Sequence, residues 1–414
     1  MSSTAPAGDR ILTLDIIRGI AVMGIFSVNV VDFAMIEAAY FNPATYGGRT
    51  GADLFVWAAN MLVIDGKMRS LFSMLFGASM LLVIDRAEAK DESGWSVHWR
   101  RMIVLLAFGL LHFVAIWTGD ILHLYAISGL ILFAFRNQPV ERLLGWGGAF
   151  IIVSMVLMIA IAITFHSQQL AAEAPNASTE AVRLWQANGG SFLPDAATLA
   201  SDRALHLGPW EALTLHRLDE LAGLPGQVLF LLPETLGLML IGMAAFRSGF
   251  FTGEWSRVAY RRFALWSIPL GLTGHSALIA ADLWSNFSIP VLFGGFIGLM
   301  SPFRIVQALG YAALIIQLAR PCGWLTERLA AVGRTAFSNY LGTSLVAAAV
   351  FYGWGLELYG SVSRAQAWLL VPPVWLAMLA WSKPWLDHFR YGPFEWAWRS
   401  LARWERQPMR SAAA

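Results

Sequence analysis

Residues 143–165, LLGWGGAFIIVSMVLMIAIAITF, contain no charged side chain. About 20 such residues cross a bilayer's hydrocarbon core as a helix, and no water is there to satisfy backbone polar groups in any open structure. Nine comparable apolar runs accompany it, at roughly 16–39, 68–84, 102–117, 121–135, 228–246, 263–283, 287–319, 336–356 and 367–381. The fold class this predicts is all-α, a polytopic membrane bundle of about ten transmembrane helices. The run 287–319 is interrupted by "SPFR" and holds one crossing or two. Leu54–Ile64 is too short to cross and reads as an interfacial helix. With 57% hydrophobic and only 14% charged residues, an ordinary soluble enzyme is excluded.

The first run outlasts the apolar part of a signal peptide and carries Arg18 in its first turn, so it reads as an uncleaved first span. Orientation follows from the basic residues. With the N-terminus inside and ten crossings, 21 Lys and Arg fall in cytoplasmic segments and 7 outside, with Arg304 unassigned, which favours N-in and C-in. The chain then divides into a cytoplasmic segment 1–15, a membrane half 16–166 with five spans, an outer cap 167–225, a second membrane half 226–382 and a basic cytoplasmic tail 383–414. The cap has seven acids and three arginines. Within it "GPWEALTLHRLDELAGL" predicts a helix with Leu215, Leu218 and Ala222 on one stripe. In the tail, "PFEWAWRSLARWER" separates Phe394, Trp398 and Leu401 from Arg399, Arg403 and Arg406, as an amphipathic helix on anionic lipid would. A net charge of +2 argues against a nucleic-acid partner, and the single Cys322 rules out an internal disulfide or a cysteine metal site.

Charges inside a bilayer are costly, so each one is a candidate for function. Arg18 and Asn29 are eleven residues apart on the first helix, about 1100° of rotation, so they share a face and suggest a lined path. Arg18 also lies three residues from Asp15, at ion-pair spacing; snorkelling to the inner interface and holding a phosphorylated donor both remain open. Asn29 is either interhelical glue or a path residue. In "GLLHFVAIWTGDILHLYAISG", residues 109–129, His112, Asp120 and His123 converge on a hairpin near the outer surface. A carboxylate that fixes an imidazole's tautomer produces a general base, while Asp120 is equally well placed as a plain N-cap. Metal binding is disfavoured, since no third ligand stands at a recognisable spacing.

Lys67 and Arg69 start a span and read as headgroup anchors or as ligands for an anionic acceptor. Glu234, after Pro233, is a deep carboxylate for which function and a buried pair compete. His275 and Asp282 share a face. Arg334 stands at a cytoplasmic boundary, with Asn339 and Tyr340 inside the span that follows. The remaining histidines read as surface or loop residues. No GxSxG elbow, phosphate loop, dinucleotide fingerprint or zinc motif is present.

Six blocks in order, "LDIIRGIAVMGIFSVNV", "KMRSLFSMLFG", "GLLHFVAIWTGDILHLYAISG", "LGLMLIGMAAFRSGFF", "VGRTAFSNYLGTS" and "HFRYGPFEWAWRSL", resemble the bacterial YeiB-like family, whose domain has no assigned function. That family is distantly similar to transmembrane acyltransferases such as heparan-alpha-glucosaminide N-acetyltransferase, whose first span resembles this one in its Arg-to-Asn interval. The acyltransferase-three branch has its catalytic histidine where Asn29 stands, and the loop 31–48 has no histidine. His112 with Asp120 is then the best replacement on physical grounds.

The resemblance implies an inner-membrane acyltransferase. It would move an acyl group from cytoplasmic acyl-CoA, a donor substrate, to an extracytoplasmic glycan, lipid or small molecule, without a metal. Arg18 and Arg334 would hold donor phosphates, and Asn29, Arg69, Tyr125, Glu234, Asn339 and Tyr340 would belong to the path. The partners expected are the lipid bilayer and a second copy in a homodimer. The alternative is a secondary transporter or exporter in which the same polar residues bind a solute.

Overall fold

A computed structural model describes residues 11–189, 192–319 and 323–410. Cys322, Arg10, Arg320 and most of the N-terminal segment lie outside the described residues. The described chain is built of helices, joined by turns and by one isolated antiparallel bridge between Phe389 and Arg410. The longer helices are α1 Leu12–Ala34, α2 Gly51–Val63, α3 Lys67–Glu88, α4 Gly94–Ala115, α5 Leu122–Leu132, α6 Val140–Glu173, α7 Thr179–Gly189, α8 Ala196–His206, α9 Trp210–Glu220, α10 Leu224–Arg247, α11 Arg257–Trp284, α12 Ser301–Leu318, α13 Trp324–Arg334, α14 Ala336–Phe351, α15 Val371–His388 and α16 Pro393–Arg403.

Eight helical stretches among the described residues are long and apolar enough to cross a membrane: 12–34, 51–88, 94–115, 140–173, 210–247, 257–284, 301–318 and 364–388. Two further apolar helices, 122–135 and 336–351, are shorter than that. The run 287–319 is broken: a turn of helix at Ile289–Val291 passes into a π-helical stretch, Leu292–Leu299, before α12 starts. Gly294, Gly295 and Gly298 within it, and Pro302 at the start of α12, explain why regular i to i+4 pairing fails there.

Among the eight candidate spans α1 is the most enclosed, packed against α3, α13 and α14. Backbone contact sets its distance from α13. A methyl group at Gly333 would overlap the Asp15 carbonyl oxygen, and one at Gly19 would overlap that of Leu329. This small-residue packing is how helices approach closely where lipid offers no hydrophobic drive.

Both amphipathic stretches form helices, and the structure shows what one face of each meets. In α9 the buried residues are Leu213 and Arg217, while Leu215 and Leu218 face outward. Arg217 is drawn in beneath Tyr352, its guanidinium 5.4 Å from the ring. Helix α16 docks on the bundle through Phe394 and Trp398, whose rings lie 6.2 and 5.7 Å from that of Phe337. Trp398 donates to the Arg101 carbonyl at 2.9 Å and carries that residue's guanidinium 4.3 Å above its ring.

Candidate functional site

The close approach of α1 and α13 brings Arg18 and Arg334 to the wall of one cavity of about 330 Å3. Six arginines line it, at 18, 86, 101, 334, 390 and 399, against two carboxylates, Asp15 and Glu395. Arg86 and Arg390 are exposed and mark its mouth. Arg18 is held at 3.0 Å by Asp15, as its spacing predicts, and donates to Ser79 at 2.7 Å. Beyond the arginines the wall turns apolar, with Phe72, Phe76, Met80, Met102, Leu105 and Phe337. Away from the exposed arginines the lining is completed by half-buried Ile121 and by buried Leu122, Tyr125 and Tyr340. Helix α16 closes one side, and its Glu395 accepts from the first turn of α14, from Phe337 N at 2.7 Å and Ser338 N at 3.0 Å. Burial raises the Glu395 carboxyl above the usual range, against the lowering effect of those donors.

Behind Tyr340 stands Asp120, which Tyr340 Oη approaches at 3.5 Å. Asp120 makes the cap and the imidazole contacts at once. It caps α5, accepting from Leu122 N at 2.9 Å and His123 N at 3.1 Å, and it binds His112 Nδ1 and His123 Nδ1, each at 2.9 Å. An ionised carboxylate only accepts, so Nδ1 carries the proton on both rings and Nε2 is left as the basic nitrogen. His112 Nε2 is buried without a hydrogen-bond partner among the described residues. Gly109 makes room for this arrangement, since a methyl there would meet Asp120 Oδ2 at 2.9 Å.

The group is sealed among the helices: His112 is 2% and Asp120 5% exposed. Nor is His112 on the cavity wall. Its ring packs 5.3 Å from that of Tyr340, which does line the wall.

A second ionic network adjoins the same end. Glu234 receives Arg69 on Oε2 and Arg304 on Oε1, and Arg304 also donates to Ser301 at 2.9 Å. For Glu234 the buried-pair reading is the one the structure bears out. Lys67 is fully buried and donates to the Met61 carbonyl, so it anchors no headgroup. Tyr125 Oη shares a 2.6 Å hydrogen bond with Ser73 Oγ and lies within electrostatic reach of Arg69.

Other sequence candidates fall elsewhere. Asn339 ties α14 to α15, bonding Thr335, Ser382 and Trp381. Asn29 is half-buried and does not line the cavity. No α1 residue beyond Arg18 does, because the space turns from α1 toward α5 and α14. His275 and Asp282 are both buried, with His275 Nε2 and both Asp282 oxygens lacking a hydrogen-bond partner among the described residues. His98, read from sequence as a surface residue, is 1% exposed, lines the cavity and bonds the Gly129 carbonyl at 2.8 Å. Its inward-facing position on α4 was the available signal. No group of three or more potential metal ligands is set to hold an ion among the described residues.

Comparison with known proteins places the chain. Residues 245–405 match a family described as "Protein of unknown function (DUF418)". Over 407 residues the chain is 33% identical to the uncharacterized protein YeiB of Escherichia coli (strain K12), covering 95% of this chain and 96% of that one. The chain belongs to the YeiB family. The uncharacterized protein YxaH of Bacillus subtilis (strain 168) is 30% identical over 427 residues, covering 99% and 98%. An uncharacterized 39.9 kDa protein of Bacillus acidopullulyticus is 23% identical over 395 residues, covering 95% and 94%. The matches to the YeiB and YxaH proteins cover nearly the whole chain.

Proposed function

We propose that this protein is an acyltransferase of the bacterial inner membrane, taking an acyl group from cytoplasmic acyl-CoA to a hydroxyl or amine acceptor on the other side. One observation carries the reading: one cavity is lined by six arginines, by a set of apolar side chains and by Tyr340, which touches the Asp120–histidine group. Six guanidinium groups suit the phosphates of a coenzyme, and guanidinium binds phosphate bidentately. The apolar section suits the thin arm that carries the thioester. A positive mouth facing the cytoplasm agrees with the distribution of Lys and Arg along the chain.

Calorimetric titration of coenzyme A into the protein in lipid nanodiscs, with thiol release from acetyl-coenzyme A read beside it, tests the proposal. Arg18→Gln and Arg334→Gln are expected to weaken coenzyme A binding about tenfold each, the scale of one charge-assisted contact. No binding by the wild-type protein overturns the reading. Solute movement into proteoliposomes with no thioester consumed points instead to a transporter.

A further inference from the structure

We propose that Tyr125 and Tyr340 form an opposed catalytic pair at the inner end of the cavity. Tyr125 donates a hydrogen bond to the acyl carbonyl oxygen, and Tyr340 takes the proton of the acceptor. The proposal rests on the acyl-transfer reading and names the groups that would do its chemistry.

Both phenols belong to the cavity's lining, and both are buried, at 1% and 5% exposure. What differs is the charge behind them. Tyr125 is backed by Arg69, which is paired to Glu234, which is paired in turn to Arg304. Lys67 and Asp65, which face each other and Arg304, add one group of each sign, so the arginines still outnumber Glu234 and leave a positive charge on that side. Tyr340 is backed by Asp120, whose other side-chain partners are the two imidazoles. With those rings neutral, the charge on that side is negative.

A cation behind a phenol strengthens it as a hydrogen-bond donor; a carboxylate drawing on the phenolic proton makes the oxygen a better acceptor. Neighbouring groups whose surroundings push them in opposite directions are how one site divides acid from base work. For Tyr125 to offer its proton to a ligand, Ser73 must be the donor in their shared 2.6 Å bond, which a serine hydroxyl can be.

The step balances without a further reactant. As the acceptor oxygen or nitrogen forms its bond to the thioester carbon, its proton passes to Tyr340 Oη, and the Tyr340 proton passes to Asp120 Oδ1. The carbonyl π pair moves onto oxygen, where Tyr125 Oη–H holds it. The intermediate then collapses, the C–S bond breaks, and the thiolate takes the proton back through Tyr340. The products are an ester or amide and a free thiol. Asp120 holds the proton behind Tyr340 between the two halves of the step, and His112, His123, Ser73 and Arg69 are positioning residues in this scheme. His112 lies behind the wall and holds Asp120 in place.

The test uses acetyl-coenzyme A with water as acceptor, the full-length protein in nanodiscs, and coenzyme A binding by calorimetry. Tyr125→Phe and Tyr340→Phe are each expected to lower kcat for thiol release by about 10²-fold or more, the scale of one lost oxyanion donor or proton carrier. Coenzyme A affinity should stay within about threefold, since neither phenol meets the phosphates. Asp120→Asn should be no slower in the Tyr340→Phe background than alone, because the two act in one relay, and should multiply with Tyr125→Phe.

Either phenylalanine variant retaining more than about a third of the rate overturns the pair alone. So does a variant whose coenzyme A affinity falls tenfold, since its lost rate is then a lost site. Wild-type protein that binds no coenzyme A, or binds it and releases no thiol, overturns the acyl-transfer reading and the pair with it.

Discussion

Glu234 and Asp120 are both buried between helices, yet the partners that surround them differ in kind. Glu234 sits between two guanidinium groups, an ion triad whose parts come from α3, α10 and α12. Asp120 is held by hydrogen-bond donors alone, two backbone amides, two imidazoles and a phenol, and one of those imidazoles keeps a nitrogen unused. A charge matched by charge is cancelled where it stands; one held by neutral donors stays ionised but keeps a net negative charge that a neighbouring phenol can lean on. The first arrangement suits a clamp between helices, the second a site of chemistry.

Breaking the clamp should produce the largest effect on folding. Glu234→Ala leaves Arg304, 3% exposed, without its carboxylate, and removal of one partner from a buried ion pair costs about 3–5 kcal/mol. The purified variant should unfold in detergent at a markedly lower Tm than wild type. Asp120→Asn should cost less, about 1–3 kcal/mol, because the amide oxygen still accepts while one acceptor site is lost. If Asp120→Asn proves the more destabilising of the two, the contrast between clamp and site is wrong.

The same two carboxylates measure what the sequence could reveal. Asp120 with His112 and His123 was legible because all three lie on one short hairpin, where helical geometry alone brings them together. So was Arg18 with Asp15. Tyr340 is 220 residues from Asp120, and Arg69 is 165 from Glu234. Periodicity assigns each of these residues to a helix face but not to a neighbour. The same limit applies to α16, whose two faces are plain in sequence while its docking partner, bundle or lipid, is not. Lys67 and His98 were misread for a related reason. A polar residue near a helix end looks solvent-facing until another helix is seen to cover it.

Helix α16 offers a smaller effect, dependent on pH. Burial raises the Glu395 carboxyl above its ordinary range. A group whose folded-state pKa is raised contributes stability that is fully present below its unfolded pKa and lost as pH rises through the folded value. Docking of 393–403 should therefore be firmer in mild acid than in alkali, and amide hydrogen exchange across that helix should speed up as pH rises, after correction for the intrinsic pH dependence. Glu395→Gln should flatten the response. Glu395→Ala should loosen α16 at every pH by about 1 kcal/mol, the scale of a lost helix cap. A wild-type response with the opposite slope would show that the helix N–H groups, not burial, govern this carboxyl.

The smallest expected effect is at Asn29, and it sharpens the contrast within α1 itself. Arg18 and Asn29 share a helical face, and only Arg18 reaches the cavity. Asn29 is half-buried, so Asn29→Ala removes an amide that donates nothing to the cavity wall and should shift stability by no more than about 0.5 kcal/mol. Coenzyme A affinity and thiol release should both stay within about twofold of wild type. Arg18→Gln, eleven residues earlier, should weaken binding about tenfold. A comparable loss in the two variants would mean that the route follows α1 upward past Asn29, and that the turn toward Tyr125 and Tyr340 is not the one a substrate takes.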